Sequence, residues 1–169
     1  MKGKILTSLF ALPFAGVGVW MLWSVGSTIH DAWRMSDWVQ VEATLTAGGY
    51  ETHSGDDSDT YEAYAEYYYT VQGRRFTADR VGLSSGGDNI GDYQQDIGSN
   101  LSAAHARGKP ILVYVNPENP SEAIIDRGIR WGLLGFKSIF LIVFGGVGFG
   151  LIIGVWRAAP EKDKTNPAY

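Results

Sequence analysis

Cysteine is absent from the 169 residues, which excludes disulfide staples and thiolate chemistry. The three histidines are scattered, and neither H-E-x-x-H nor C-x-x-C occurs, so no zinc site is legible. Positive charge is scarce in the middle of the chain: residues 27–130 hold 8 basic and 16 acidic residues. A nucleic-acid surface needs a basic patch, so nucleic acid is excluded as a partner. Charge of either sign is missing from two long stretches, Ile5–Gly26 and Ser138–Trp156.

Those two stretches organise the chain. A helix needs about 20 apolar residues to cross a bilayer core, and each run supplies that length. The first is too long for the ~7–15 residue core of a cleaved signal peptide, and no A-x-A-like site follows it. It reads as a retained anchor. The expected organisation is a tail at 1–4, a transmembrane helix at 5–26, a domain at 27–130, a second transmembrane helix at 131–156 and a tail at 157–169. Outside the middle segment, six basic residues face two acidic ones. Basic flanks stay in the cytoplasm, so both termini are expected inside and the acidic domain outside. The expected location is the inner, cytoplasmic membrane.

The middle segment reads as mainly β. Val39, Val41, Ala43 and Leu45 alternate with polar residues, the pattern of a half-buried strand. Residues 47–59 read as a polar loop. Tyr61, Ala63, Ala65, Tyr67, Tyr69 and Val71 share one face of a second strand, and Gln72-Gly73 turns the chain into a third. Ile90, Tyr93, Ile97, Leu101 and Ala104 then follow helical spacing. Asp88 is the expected N-cap of that helix and Gly108 its C′ residue. "PILVYV" is a fourth strand, expected at a central position. Pro117 and Pro120 end it, and "AIID" forms a short fifth. The fold class is membrane α+β: two transmembrane helices flank a small antiparallel β-rich domain with one helix.

The order of anchor, "WVQVEATL", "YYYTVQGRRF", helix, "GKPILVYVNPENP" and second anchor resembles the bacterial membrane domain of unknown function DUF3592. The resemblance runs from Trp38 to the second anchor. It implies the fold and topology just described, and the family has no assigned reaction.

Candidate chemistry is sparse. "GLSSG" at Gly82–Gly86 matches G-x-S-x-G, with Ser84 as the formal nucleophile and His105 downstream. The domain is too small for the doubly wound sheet that presents such an elbow, so the stretch reads as a flexible connection. No enzyme activity and no cofactor are expected. His53, Asp56, Asp57 and Asp59 gather hard ligands suited to calcium, but their spacing departs from the EF-hand loop and a solvated acidic loop is the default. Tyr64 and Tyr68 share the strand face opposite the core and form a possible interaction surface. Gly146, Gly150 and Gly154 make a tandem G-x-x-x-G, and Ala11, Ala15 and Gly18 make a small-residue stripe. Together they predict packing of the two anchors as a hairpin, and a homo-oligomer is possible through the same glycine face. The expected function is a non-catalytic two-pass protein, an accessory or assembly factor. Its partners are the lipid bilayer and another envelope or membrane protein. A small-ligand or ion-sensing module and an immunity-type protein that sequesters a toxin are the alternatives.

Overall fold

The computed structural model describes residues 2–158. Its elements are α1 (Lys2–Arg34), β1 (Val39–His53), β2 (Thr60–Val71), β3 (Arg74–Ala78), α2 (Tyr93–Ala106), β4 (Ile111–Val115), β5 (Ala123–Ile124), α3 (Trp131–Phe140), a π-helical turn (Leu141–Gly145) and α4 (Gly146–Arg157). The last three form one run. Among the described residues, it and α1 are the two helices long and apolar enough to cross a membrane. The chain divides into two compact units: the apolar helices up to Val25 and from Gly135, and residues Gly26–Leu134.

In the first unit the helices meet through small residues, on α1 the expected stripe but on the second helix glycines other than those expected. Ala11, Ala15 and Gly18 are buried. Opposite them stand Gly145 and Gly148. A Cβ added at Gly18 would lie 2.5 Å from Gly145 Cα, and one at Gly148 would lie 2.7 Å from Ala15 Cα. Gly146, Gly150 and Gly154 have nothing within 4 Å of that position. The 146/150/154 stripe therefore faces away from α1, because its phase on α4 differs from that of the 145/148 pair.

The second unit is built on a five-stranded antiparallel sheet in the order β3-β2-β1-β4-β5. β1 is central and β4 lies next to the edge, which corrects the central position expected for β4. Within β4, Leu112 points to the sheet face away from the core and is exposed, while Val113 and Val115 point into the core and are buried. β1 also runs on to His53, so residues 47–53, expected as loop, are strand. Two glycines and a register shift between Leu45 and Ala47 carry it past the bulge. Gln72 and Gly73 both have positive φ, 50° and 76°, as a two-residue type I′ hairpin requires.

α2 covers one face of the sheet. Leu101 joins Ala43, Leu45, Ala65, Tyr67, Tyr69, Val113, Val115 and Ala123 in the core, with Ile97 and Ala104 packed against it. Burial of each large side chain contributes about 1.5–3 kcal/mol. Gly98 sits inside α2, where its helix propensity is poor, because a Cβ there would lie 2.6 Å from Tyr50 Cβ and 2.7 Å from the Gly49 carbonyl oxygen. The helix ends in a Schellman motif: the Lys109 N–H donates to Ala104 and the Gly108 N–H to His105. Gly108 takes φ 60° there. The N-cap is Asp92, not Asp88, since the helix begins one turn later than the periodicity suggests.

The sheet is curled. The Ile125 and Asp126 N–H groups donate to the carbonyls of Arg80 and Val81, just beyond β3, at 3.1 and 2.8 Å. The two edges of the sheet are thus tied together. Core tyrosines reinforce the tie, with the Tyr67 hydroxyl donating to Arg80 O and the Tyr69 hydroxyl to Pro120 O. A smaller cluster of Met35, Trp38 and Ile124 packs the end of α1 onto the sheet.

Candidate functional site

The β1–β2 hairpin outgrows its neighbours. β4 pairs only with Val39–Ala43, and β3 only with Tyr67–Val71. Residues 44–66 therefore form a two-stranded arm, backed on one side by α2. Tyr50 and Tyr64 are each 42% exposed on opposite faces of it. Tyr64 lies over Gly49, whose missing side chain leaves room for the ring. The Tyr50 ring meets Tyr61 edge-on at 6.2 Å.

Tyr68 does not continue an exposed strip with Tyr64. The Arg75 guanidinium sits over its ring at 4.3 Å, and it is only half-buried. The same finish recurs where Arg127 covers Tyr114 at 4.2 Å.

Beside β2 lies a cleft of about 600 Å³, walled by Glu62–Glu66 and by Asp79–Gly86, with Tyr93 and Gln94 among its lining residues. It exists because β3 stops at Ala78 and the chain returns to β2 only at the Tyr61–Asp88 bridge. The gap is spanned by a side chain: the Ala63 N–H donates to Gln94 Oε1 at 3.0 Å, and Gln94 Nε2 donates to Gly86 O and to Asp88 Oδ2. Ser84 lines this cleft, whereas His105 lies near the Leu45 carbonyl, 3.3 Å from its Nδ1. The serine and histidine are not brought together.

Four arginines tie the two ends of this unit to its strands and loops, all within residues 26–134. Arg80 donates to Asp31 Oδ2 at 2.7 Å and to the carbonyls of Gly82 and Leu83. Arg34 donates to Glu122 at 2.8 Å. Arg127 donates to the carbonyls of Met35 and Ser36, in the turn that follows α1. Arg130 grips Asp88 with two bonds, 2.6 and 2.7 Å, and its guanidinium stacks 4.3 Å over Tyr93.

These contacts set the titration of the acids. Burial disfavours the Asp88 carboxylate, but bonds from Arg130, Gln94 and the Ile90 N–H outweigh that and hold its pKa below the usual range. Glu122 is also lowered, chiefly by Arg34, although it is largely exposed to solvent screening. Burial, and then the carboxylate of Asp126 that accepts its proton, raises Tyr93. Desolvation raises Tyr67 and Tyr69 as well, so all three stay neutral hydrogen-bond donors.

His53, Asp56, Asp57 and Asp59 lie at and beyond the end of β1. Among the described residues no three acidic or histidine side chains converge in a metal-binding group. His53 instead faces Glu62 across the hairpin at 3.4 Å.

A model of the family described as "Domain of unknown function (DUF3592)" matches residues 41–130. The chain belongs to the DUF3592 family. The match covers the five strands from Val41 onward, α2 and three of the four arginine donors, Arg80, Arg127 and Arg130. No curated protein matches the chain. Sequence reading missed the Asp88–Arg130 pair because its partners are 42 residues apart. The one available signal was the run "GGDNIGD", whose glycines suit an irregular connection better than a helix start.

Proposed function

We propose that this DUF3592 chain is a non-catalytic, two-pass membrane protein whose β-rich domain lies outside the cytoplasm and contacts another envelope or membrane protein. The observation that carries this reading is the β1–β2 arm, which extends past β3 and β4 and presents Tyr50 and Tyr64. Aromatic residues are enriched at interfaces because they bring large contact area at small entropy cost. The bilayer part is supported by the outward apolar side chains of α1 and α4, among them Leu6, Leu9, Phe10, Ile153 and Trp156. Trp33 and Trp131, both exposed near the junctions, suit the interfacial zone.

Photo-crosslinking in intact membranes tests the reading. A crosslinker at Tyr64 should give one discrete adduct that is absent with the crosslinker at Arg107. Equal, diffuse labelling from both positions would overturn it. Topology is tested separately, since the chain has no native cysteine. Single cysteines at Ser58 and Thr165 should react from opposite sides of the membrane, and equal accessibility in intact cells would refute the two-pass arrangement.

The cleft supports a second reading, small-ligand sensing. Its walls connect through Arg80 to Asp31 on α1, and through Gln94 and Asp88 to Arg130 just before α3.

A further inference from the structure

The contact proposed for the arm can be given a specific edge and partner chemistry. Tyr61 exchanges both backbone hydrogen bonds with Asp88, N–H to O in each direction at 3.0 Å. Its peptide groups thus point away from β1. In an antiparallel pair, residues opposite such a position also point their groups outward, and alternate residues repeat the pattern. Thr52 is opposite Tyr61, Tyr50 opposite Ala63 and Gly48 opposite Ala65. The Ala63 N–H, which donates to Gln94 rather than to β1, confirms the phase. Gly48, Tyr50 and Thr52 consequently direct their N–H and C=O groups to the side of β1 away from β2.

On that side, among the described residues, β1 has no strand neighbour beyond Ala43, which pairs with Ile111 at the start of β4. His105 closes the edge at Leu45. α2 lies over the core-facing side, where Gly98 meets Gly49 and Tyr50. Tyr50, Glu51, Thr52 and His53 are all exposed. Edge strands are ordinarily guarded by lysine, proline or a bulge. None of these occurs within residues 48–53, since the bulge comes earlier, between Leu45 and Ala47.

Charge selects the partner. From Met35 to Gly73 there is no lysine or arginine, while Glu42, Glu51, Asp56, Asp57, Asp59, Glu62 and Glu66 all fall on the hairpin. Glu51 and Glu62 are directly opposite one another across the strands, a like-charge arrangement that costs stability, and the near neighbour of that pair on the hairpin is the His53 ring, 3.4 Å from Glu62. A second copy would bring the same carboxylates face to face, so self-pairing is disfavoured.

We propose that residues 48–53 of β1 are a strand-addition site that takes an extended, lysine- or arginine-bearing segment of a partner protein. The segment's backbone bonds to Gly48, Tyr50 and Thr52. Its basic side chains, alternating along the strand, meet Glu51 and the acidic hairpin end, and Tyr50 packs on the opposite face. The inference rests on the protein-contact reading above and deepens it.

The full chain in nanodiscs, probed with a fluorescent Lys-Val-Lys-Val-Lys-Val-Thr peptide and its Glu-for-Lys counterpart, tests it. The lysine peptide should bind at least tenfold tighter and should slow amide hydrogen exchange at Tyr50 and Thr52. Thr52→Pro removes an edge N–H that plays no part in the β2 ladder, so it should abolish binding with little change in melting temperature. Glu51→Lys should weaken binding at least tenfold. Equal binding of both peptides, or binding without protection at Tyr50 and Thr52 in the unsubstituted protein, would overturn the proposal. The exchange measurement decides the matter even if Thr52→Pro unfolds. A Tyr64 crosslink that survives Thr52→Pro in a folded protein would sink the edge assignment and leave the protein-contact reading standing.

Discussion

Arg130 and Asp88 form a two-bond ion pair whose side chains are only 13% and 16% exposed. It joins the residue just before the second apolar helix to the connection between β3 and α2. Gln94 shares the same carboxylate, and Tyr93 lies beneath the guanidinium. Removal of one partner strands the other charge in a mostly buried place, at a cost of about 3 kcal/mol. Arg130→Ala should therefore lower the unfolding free energy of the detergent-solubilised protein by that order. Asp88→Ala combined with Arg130→Ala should cost less than the sum of the single changes. Additive losses in such a cycle would show that the pair is not coupled.

Acid should loosen the same place. The folded-state pKa of Asp88 lies below its unfolded value. Its stabilisation is thus complete above the ordinary aspartate value of about 4 and declines as pH falls from there through the lower folded value. The melting temperature should drop over that window. Asp88→Asn should start from a lower melting temperature and show a shallower decline. An unchanged slope in the variant would assign the acid loss elsewhere.

The helix hairpin offers a contrast between neighbours. At Gly148 an added Cβ would meet the backbone of Ala15 at 2.7 Å, whereas at Gly150 it would meet nothing within 4 Å. Gly148→Ile should destabilise the hairpin in detergent, and Gly150→Ile should leave its melting unchanged. Close backbone approach through small residues is what holds apolar helices together in lipid. Equal effects from the two substitutions would contradict the observed face.

Gly98→Ala tests the seat of α2. Alanine gains about 1 kcal/mol of helix propensity. Its methyl would be driven to 2.6 Å from Tyr50 Cβ and 2.7 Å from the Gly49 oxygen, and overpacking of this kind costs about 1–3 kcal/mol. The urea midpoint should fall. A rise would mean that the helix slides freely over β1.

Much of this architecture is legible in sequence because it rests on periodicity. The alternation through Tyr67 and Tyr69, the Gln72-Gly73 turn and the helical spacing of Ile97, Leu101 and Ala104 all appear in the fold. Signals that depend on partners far along the chain do not show. Asp88 has the composition of a helix cap but is claimed by Arg130 instead. The polar stretch 47–53 reads as a loop yet stays extended because β2 pairs with it residue by residue. Glycine spacing on the second apolar helix is visible, but which glycines face α1 depends on helix phase, and the sequence carries two stripes. The open edge of β1 was hidden for a related reason: an edge is defined by the length of its neighbour, and β4 begins only at Ile111, opposite Ala43.

The central place of β1 also sets a timetable for folding. The first strand synthesised is the middle one of the sheet, so the hairpins with β2 and β3 can close locally, while the opposite side waits for Ile111–Val115 and then Ala123–Ile124. Contacts between distant residues close slowly. The last fastenings, Arg127 to Met35 and Arg130 to Asp88, come from the few residues immediately before Trp131. The domain thus cannot lock shut until the second apolar helix is about to be made, which couples completion of the fold to the arrival of the chain's second apolar segment.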